Sequence, residues 1–536
     1  MEQIESKLLA NSPEFQSNRE AMLALIDDLS ETLAKGRAGN PKGAAKMKDR
    51  GKLLPRERLE RTLDANTPFL ELCPLAALGM YNNETIGASS ITGIGIVSGV
   101  ECILSFNDPT IKGGAIYPMG LQKALRIQQV AFENRLPLIH GIESAGANLP
   151  YQSEMFVEGG RSFANQARLS GQGIPQIAMV FGSSTAGGAY NVGLSDYTIH
   201  VRDQSKVFLG GPPLVKMATG EVTDDETLGG AEMHASVSGL ADYIAEDDAD
   251  AIRIGRMVMS QLNISKPVFD SQRRQTPEPP RCDPDELLGI IPSNERVPFD
   301  MREVIARIVD ASRFLEFKRD YGPTLVTGHA HINGYPIGIL GNNGVLFPEC
   351  AHKAAQFIQL CNQTRTPLLY LHNITGFMVG SKYEQDGIVK AGSAMIHAVA
   401  NSNVPQFSVV VGGSYGAGNY AMCGRGYDPR FIWTWPNSRV AVMGGEQAAG
   451  VLAIVQEEAA RRRGQEPDEK AIEMAKMMTR KKFDDESTAY FGTARLWDDG
   501  ILDPRDTRQA LSTALSVAHN VDFVNQESPH YGSMRL

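Results

Sequence analysis

The sequence lacks the features of a membrane, secreted or nucleic-acid-binding protein. None of its apolar runs approaches the roughly 18 residues of a membrane-spanning helix, and residues 1–7 have neither the basic nor the apolar region of a signal peptide. Positive charge is also in short supply, since 52 Lys and Arg against 62 Asp and Glu give a net charge of −10. We therefore expect a cytoplasmic protein that binds neither nucleic acid nor membrane.

Cysteine and the common catalytic motifs are scarce as well. The six cysteines lie far apart and form no Cys-x-x-Cys pair, so we predict buried thiols, no disulfide framework and no metal on this chain. The sequence has no Gly-x-x-x-x-Gly-Lys-Ser/Thr loop for nucleotide hydrolysis and no His-Glu-x-x-His zinc motif. Because no side-chain base is evident, a reaction that removes a proton points to a cofactor acting as the base.

Glycine, by contrast, is abundant, with 53 of 536 residues, and much of it follows apolar β-branched runs. Residues 174–190, IPQIAMVFGSSTAGGAY, match residues 404–420, VPQFSVVVGGSYGAGNY, at an offset of 230. Further identical pairs occur at the same offset: Lys123 with Lys353, Gln129 with Gln359, Arg135 with Arg365, Pro137 with Pro367, and Gly146 with Gly376. A shared register over this length predicts an internal duplication.

Each half alternates short apolar runs with amphipathic segments, which predicts βαβ units and an α/β fold with largely parallel sheets. We predict a helical arm over residues 1–49, a domain over 50–275 and a second over 276–536, with the Pro-rich, charged segment 267–280 as the linker. The arm either packs on a neighbour or extends loosely. Ligands bind beyond the carboxyl ends of such strands, which here carry the glycine clusters 182–188 and 412–418.

A glycine cluster between a strand and a helix leaves backbone N–H groups at the helix start with no side chain to block approach. Such a turn is an oxyanion hole if the bound charge is a thioester enolate, and an anion cradle if it is a phosphate. Close packing of helix on strand explains an isolated Gly-Gly pair equally well. Its presence in both halves favours a functional role.

A nucleophile elbow is the competing interpretation of the second cluster. Residues 412–416, GGSYG, follow a strand and fit Gly-x-Ser-x-Gly, which predicts acyl transfer through Ser414. The downstream histidines, His519 and His530, lie close to the C-terminus, and the first cluster has Ala186 where the elbow requires glycine. These observations disfavour a hydrolase.

Six segments make the sequence resemble the carboxyltransferase (β) subunits of biotin-dependent acyl-CoA carboxylases, from residue 50 to residue 536. They are RGKLLPRER (50–58), NDPTIKGG (107–114), FLGGPPLVK (208–216), LGGAEMH (228–234), NITGFMVG (373–380) and VMGGEQ (442–447). The resemblance implies two crotonase-like superdomains in a hexamer of two stacked trimers. It also implies active sites between the N-terminal half of one subunit and the C-terminal half of another.

The resemblance implies roles for both turns. The amides of Gly187 and Gly188 would hold the thioester enolate, and those of Gly418 and Asn419 the ureido oxygen of biotin. The flanking residues would bind acyl-CoA (Gly146, Ala147, Ala186, Ala189 and Tyr190) or biotin (Gly376, Phe377, Ala417 and Tyr420). Carboxybiotin would release CO2 in the closed site, the freed biotin would take the substrate proton, and the substrate carbanion would attack CO2.

The closest similarity is to the branch that acts on 3-methylcrotonyl-CoA and geranyl-CoA, which implies carboxylation of a branched enoyl-CoA at its γ carbon. It rests on TAGGAY (185–190), GAGNYAMCG (416–424) and YDPR (427–430). Two departures leave the acyl group open: Ser184 replaces a frequent cysteine, and the segment before Phe163 is shorter. The alternatives are a propionyl-, acetyl- or longer acyl-CoA carboxylase subunit, a biotin-independent crotonase-type hydratase or hydrolase, and a scaffold subunit of a decarboxylase or transcarboxylase.

The sequence has no biotinylation motif, only AKMK at residues 45–48, and no ATP-grasp loop. The resemblance therefore implies that a partner α subunit carries biotin and carboxylates it, in an α6β6 assembly. The basic stripe of residues 50–58 is better explained as a solvated or interface face than as a CoA-phosphate site. Contact of Arg50, Arg56 and Lys112 with CoA is left open.

Overall fold

A computed structural model describes residues 1–267, 274–294 and 297–535. The N-terminal arm contains β1 (Glu2–Gln3), α1 (Pro13–Arg37) and α2 (Pro41–Asp49). Ser12 caps α1, since its hydroxyl oxygen accepts the N–H of Phe15 at 3.1 Å.

The first half forms a sheet of eight strands with helices on its faces. The strands are β2 (Leu70–Glu71), β3 (Ser90–Val97), β4 (Val100–Asn107), β5 (Leu138–Ser144), β6 (Gln176–Thr185), β7 (Tyr197–Val201), β8 (Lys206–Phe208) and β9 (Tyr243–Ala245). The helices are α3 (Pro55–Thr62), α4 (Pro118–Asn134), α5 (Gln152–Gly171), α6 (Gly187–Gly193), α7 (Pro212–Thr219), α8 (Asp225–Gly229), α9 (Ala231–Met233) and α10 (Asp248–Gln261).

The second half forms a second sheet, which also includes β1. Its other strands are β10 (Arg313–Glu316), β11 (Leu325–Ile332), β12 (Tyr335–Asn342), β13 (Leu368–Ile374), β14 (Gln406–Tyr415), β15 (Phe431–Thr434) and β16 (Arg439–Ala441). The helices are α11 (Leu287–Ile290), α12 (Met301–Ile308), α13 (Pro348–Gln363), α14 (Ser381–Gln385), α15 (Ile388–Ala400), α16 (Gly416–Ala421), α17 (Gly445–Arg462), α18 (Glu469–Glu486), α19 (Ala489–Ala494) and α20 (Thr507–Ala518).

The two sheets share one topology. The path β2-β3-β4-β5-β6-β7 corresponds to β10-β11-β12-β13-β14-β15, antiparallel at first and parallel from β4 and β12 onward. The irregularities of the two sheets also correspond. The pairing of β5 with β6 shifts register between Ile142 and Ser144, and the pairing of β13 with β14 shifts between His372 and Ile374. The predicted α/β fold, parallel sheets and internal duplication are confirmed.

Two equivalent buried lysines tie a helix to the sheet in each half. On α4, Lys123 Nζ donates to the carbonyls of Gly87 at 3.0 Å and Ser90 at 2.8 Å. On α13, Lys353 Nζ donates to the carbonyl of Leu325 at 2.7 Å. Burial lowers the pKa of Lys123 to about 8, so these hydrogen bonds compensate an ammonium group removed from water. The duplication thus extends to buried polar contacts.

The N-terminal arm packs on the second half of the same chain rather than extending loosely. Met22 and Ile26 of α1 are buried in the core that α11 and α12 share. The side chain of Asn18 donates to the carbonyl of Gly289 at 3.4 Å and accepts the N–H of Ser293 at 3.2 Å. The pairing of β1 with β10 holds the start of the arm on the second half, whereas its end contacts the first half, where the N–H of Asn40 donates to Thr110 Oγ1 at 3.1 Å.

The predicted linker lies partly outside the described residues, at 268–273. Beyond that gap, the N–H of Gln275 donates to the carbonyl of Gly334 at 2.9 Å, and Arg274 stacks over the ring of Tyr335 at 4.6 Å. The end of this segment therefore packs on the second half.

Cysteine burial follows the prediction. All six thiols are free, and all except Cys282 are buried. Within the described ranges, no helix is long and apolar enough to cross a membrane.

A buried ion-pair network joins the two halves. Asp499 accepts hydrogen bonds from Arg126 Nε at 2.8 Å and from Arg425 Nη2 at 2.8 Å, and it also accepts the N–H of Ile432 in β15. Burial opposes ionisation, but the two guanidinium groups lower the pKa of Asp499 to about 2. Because Arg126 lies on α4 of the first half, this carboxylate fixes that helix to the second sheet.

We expect D499N to lower the free energy of unfolding by about 3 to 5 kcal/mol, because it leaves two buried guanidinium groups without their charge partner. The depressed pKa of Asp499 also means that the wild-type chain loses this contribution as the pH falls from about 4 towards 2, and that D499N lacks this loss. Denaturant unfolding across pH measures both effects.

The control is E458Q, which breaks the exposed ion pair of Arg462 and Glu458. It should change the free energy of unfolding little. Equal changes in the two variants would contradict the role of Asp499.

Candidate active site

The first glycine turn joins the central strand β6 to the short helix α6. β6 ends at Thr185, α6 begins at Gly187, and Ala186 between them has φ 52° and ψ −123°. The N–H of Ala186 donates to the carbonyl of Phe208 at 3.1 Å, which holds the turn against β8. The first amides of a helix have no acceptor within it, so we expect the N–H groups of Gly187 and Gly188 to be available as hydrogen-bond donors.

A loop after β5 lies directly against this turn. Gly146 has φ +82°, and a Cβ added there would lie 3.2 Å from the carbonyl oxygen of Thr185. The loop pairs with Ile116 through the Gly146 carbonyl and the Asn148 N–H, both at 2.9 Å. The intervening amide of Ala147 therefore points away from Ile116. The loop and the turn bring three of the predicted site residues, Gly146, Ala147 and Ala186, to one place.

The second half repeats this geometry. The loop after β13 pairs with Leu346 through the Gly376 carbonyl at 3.1 Å and the Met378 N–H at 2.9 Å. A Cβ added at Gly418 in α16 would lie 3.3 Å from the Cα of Gly376 and 2.6 Å from the Ile374 side chain. Gly376 and Gly418 thus touch almost backbone to backbone, with Phe377 next in the loop.

A charged layer that the sequence did not reveal lies under the first turn. Glu143 accepts from Lys52 Nζ at 2.6 Å and from Arg58 Nη1 at 2.9 Å, and Arg58 Nε donates to Asp248 at 2.8 Å. The guanidinium of Arg58 also stacks over Phe181 at 4.3 Å. The expectation of a solvated or interface face is therefore wrong for Arg58, because two carboxylates hold its guanidinium in the interior.

The other basic candidates lie nearer the surface. Arg56 pairs with Glu71 at 2.7 Å, the Nζ of Lys112 lies 3.5 Å from Glu84, and Arg50 is exposed at the end of α2.

An aromatic wall stands beside the first turn. A Cβ added at Gly187 would lie 3.4 Å from the ring of Phe163 on α5, and that ring lies 5.8 Å from the half-exposed ring of Tyr190. Ala189 is buried behind the turn. Phe163 was not among the predicted site residues, because nothing in the local sequence indicates which face of α5 meets α6.

A cavity of about 330 Å³ borders the second turn. Ala417, Asn419 and Tyr420 of α16 line one side, and Arg425 and Trp497 line others. The Nε and Nη1 atoms of Arg425 are buried and have no hydrogen-bond partner among the described residues. Arg425 and Trp497 were not predicted as site residues, since only the fold brings them to this helix.

Ser414, the candidate nucleophile, lies inside β14 and is fully buried. Its Oγ lies 2.9 Å from His372 Nδ1 and accepts from Asn419 Nδ2 at 2.8 Å. The nucleophile of an elbow occupies the strained turn residue, whereas here the residue with positive φ is Gly416, two positions later. A serine sealed within a strand does not meet a substrate, so the geometry opposes the hydrolase interpretation.

Within the described ranges, no group of three or more His, Cys, Asp or Glu side chains is arranged to hold a metal ion.

Nearly the whole chain is similar to known carboxyltransferase proteins. Residues 46–528 match the model of the carboxyl transferase domain. The chain is 53% identical over 524 residues to the probable biotin-dependent acyl-coenzyme A carboxylase beta2 subunit of Mycobacterium tuberculosis, covering 96% of this chain and 97% of that protein. It is 50% identical over 534 residues to the biotin-dependent 3-methylcrotonyl-coenzyme A carboxylase beta1 subunit of the same organism, covering 98% and 99%. The crystal structure of the P. aeruginosa geranyl-CoA carboxylase beta subunit superposes with a TM-score of 0.90 at 51% identity, over 97% of each chain.

In the two turns, exchanging alanine and glycine should change the free energy of unfolding in opposite directions. A186G should raise the free energy of unfolding by about 1 kcal/mol, because it relieves an alanine held at φ 52°. G416A should lower it by about 1 to 3 kcal/mol, because Gly416 has φ +56° and its new Cβ would lie 3.0 Å from the carbonyl oxygen of Val442. Chemical denaturation of both variants tests this, and a change of the same sign in both would contradict the described turns.

Proposed function

The chain belongs to the carboxyl transferase domain family, and from this premise we propose that it is the carboxyltransferase subunit of a biotin-dependent acyl-CoA carboxylase. The observation that carries the proposal is the duplicated turn, in which a glycine loop lies against a glycine-rich helix start at both sheet edges. Carboxyl transfer between a ureido group and a thioester has two oxygens to bind, and each turn offers backbone donors to one of them. The named relatives support this assignment.

The first turn binds the thioester in this proposal. As a proton leaves the acyl group, negative charge moves to the thioester oxygen, where the amides of Gly187, Gly188 and Ala147 donate to it. One such donor typically stabilises a transition state by about 3 to 4 kcal/mol. Because Ala186 is small, the oxygen can approach these amides, while Ala189 is buried behind the turn and Tyr190 lies at its outer side.

The second turn fits the ring system of biotin. Gly376 and Gly418 leave no side chain over the amides of Gly418 and Asn419, which would hold the ureido oxygen. The cavity of about 330 Å³ beside this helix has Ala417 and Tyr420 in its wall and room for a bicyclic ring. Phe377 follows Gly376 in the loop that lies against Gly418. When bound, biotin supplies the carboxyl group and accepts the substrate proton.

The substrate we propose is a branched enoyl-CoA, either 3-methylcrotonyl-CoA or geranyl-CoA. Relatives named for these two substrates are 50% and 51% identical to the chain over nearly its whole length. In such a substrate, loss of a γ proton gives a conjugated dienolate whose charge rests on the thioester oxygen, within reach of the first turn. The new carbon–carbon bond then forms at the γ carbon.

A biotin-carrying α subunit is the partner in this proposal, and β subunits form the hexameric core of a cytoplasmic α6β6 assembly. The helical hairpin of α17 and α18 supports an interface, since it exposes Val451, Ile454, Met474 and Met477. Exposed apolar patches of this kind mark sites of protein association. We further propose that the two halves, over residues 50–275 and 276–536, meet across subunits at the active site.

The proposed function predicts that the chain fixes labelled bicarbonate into acyl-CoA only with ATP and its biotin-carrying partner. The assay offers 3-methylcrotonyl-, geranyl-, propionyl- and acetyl-CoA in parallel, with the partner omitted as the control. We expect a preference for one of the two branched enoyl substrates. Turnover of acyl-CoA by the chain alone, without ATP or biotin, would instead identify a biotin-independent crotonase-type enzyme.

We expect G418A to lower kcat about 100-fold, because its Cβ would lie 2.6 Å from Ile374 and push the Gly376 loop off the amides that bind biotin. G171A at the end of α5, where a Cβ likewise meets nothing within 4 Å, is the matched control. Steady-state kinetics of the complete complex, with thermal melting to check folding, compares the two. Near wild-type activity of a folded G418A variant is the result that rules out this role for the second turn.

A further inference from the structure

The buried side chains beneath the two glycine turns form different hydrogen bonds. Beneath the second turn, the Oγ of Ser414 accepts from Asn419 Nδ2 at 2.8 Å and lies 2.9 Å from His372 Nδ1. Ser414 and His372 are fully buried, whereas Asn419 belongs to the helix start that faces the cavity. This chain of contacts connects β13, β14 and α16.

The first half lacks this chain of contacts. At the offset of 230, Ser184 corresponds to Ser414, whereas alanine (Ala189) stands at the position of Asn419 and isoleucine (Ile142) at that of His372. The Oγ of Ser184 is buried and has no hydrogen-bond partner among the described residues. The serine is therefore common to both halves, but its hydrogen bonds occur only beneath the second turn.

The direction of one of these hydrogen bonds is fixed, because the side-chain amide nitrogen of Asn419 can only donate to Ser414 Oγ. Burial lowers the pKa of His372 to about 3, so its ring is neutral at physiological pH. In the tautomer that carries the proton on Nε2, the Nδ1 atom accepts from the Ser414 hydroxyl. The Asn419 carbonyl also accepts the N–H of Gly424 at 2.9 Å. Asn419 is thus held at both its side chain and its backbone.

We propose that Ser414 and His372 are positioning residues for the biotin-binding turn: they hold the side chain of Asn419 and so orient the amides of Gly418 and Asn419. This inference rests on the proposed function. The histidine and the asparagine occur in one half only, beneath the turn proposed to bind biotin.

The test is carboxyl transfer from the carboxylated acyl-CoA product to free biotin, catalysed by the full-length chain. In this direction the carbon–carbon bond at the carboxylated carbon breaks, a bond to a ureido nitrogen forms, and the ureido proton passes to the acyl group. S414A should raise the KM for biotin about three- to tenfold, the effect of one lost hydrogen bond, and leave the KM for the acyl-CoA within about twofold. A general loss of structure would change both constants.

S408A is the matched control, because Ser408 lies on the same strand, is fully buried and donates to the carbonyl of Cys423 at 2.7 Å. It should cost similar stability without the selective change in KM. If S414A does not fold, N419A removes the same hydrogen bond from the cavity side and should give the same selective change. The double variant should be no worse than either single variant, since both break one contact.

The outcomes separate the two proposals. A wild-type chain that cannot transfer carboxyl to biotin overturns the proposed function and this inference with it. An active wild-type chain with equal KM changes in S414A and S408A, or with additive effects of S414A and N419A, overturns the positioning role alone.

Discussion

The near contact between a glycine loop and a glycine-rich helix start, at the carboxyl edge of each sheet, constrains the rest of the structure. Between Gly376 and Gly418 the backbones lie so close that an added Cβ would be 3.3 Å from the opposite Cα. Side chains are thereby excluded, and backbone N–H groups become the donors that a ligand meets. Such donors work only when they are held rigidly, which the parallel strands, the matching register shifts in β5 and β13, and the buried Asp499 network provide.

The duplicated halves keep this backbone geometry and differ in the side chains beneath it. Under the first turn, Glu143 binds Lys52 and Arg58 in a charged layer. Under the second, the position of Glu143 is occupied by Asn373, and neutral hydrogen bonds among His372, Ser414 and Asn419 take over the support. In the proposed function, the same backbone geometry binds the thioester oxygen in one half and the ureido oxygen of biotin in the other.

Much of this architecture could be predicted from the sequence, because it depends on local pattern. Alternating apolar runs indicated the parallel strands, and the offset of 230 indicated the duplication. The burial of Arg58 was not predicted, because its neighbours in sequence are typical of a solvated stripe. The carboxylates that bind it, Glu143 and Asp248, lie 85 and 190 residues away in the sequence. His372 and Ser414 likewise meet only across neighbouring strands. The domain limits stay predictions, and so do the roles of the turn residues, which depend on ligands and partner subunits.

The central claim is that the two turns bind two different substrate oxygens. The most direct measurement is a crystal structure of the chain with a stable 3-methylcrotonyl-CoA analogue and free biotin bound together. We predict that the thioester oxygen lies about 3 Å from the amide of Gly188 and the ureido oxygen about 3 Å from the amide of Gly418. Both ligands at one turn, or either ligand bound away from the glycine amides, would contradict the account.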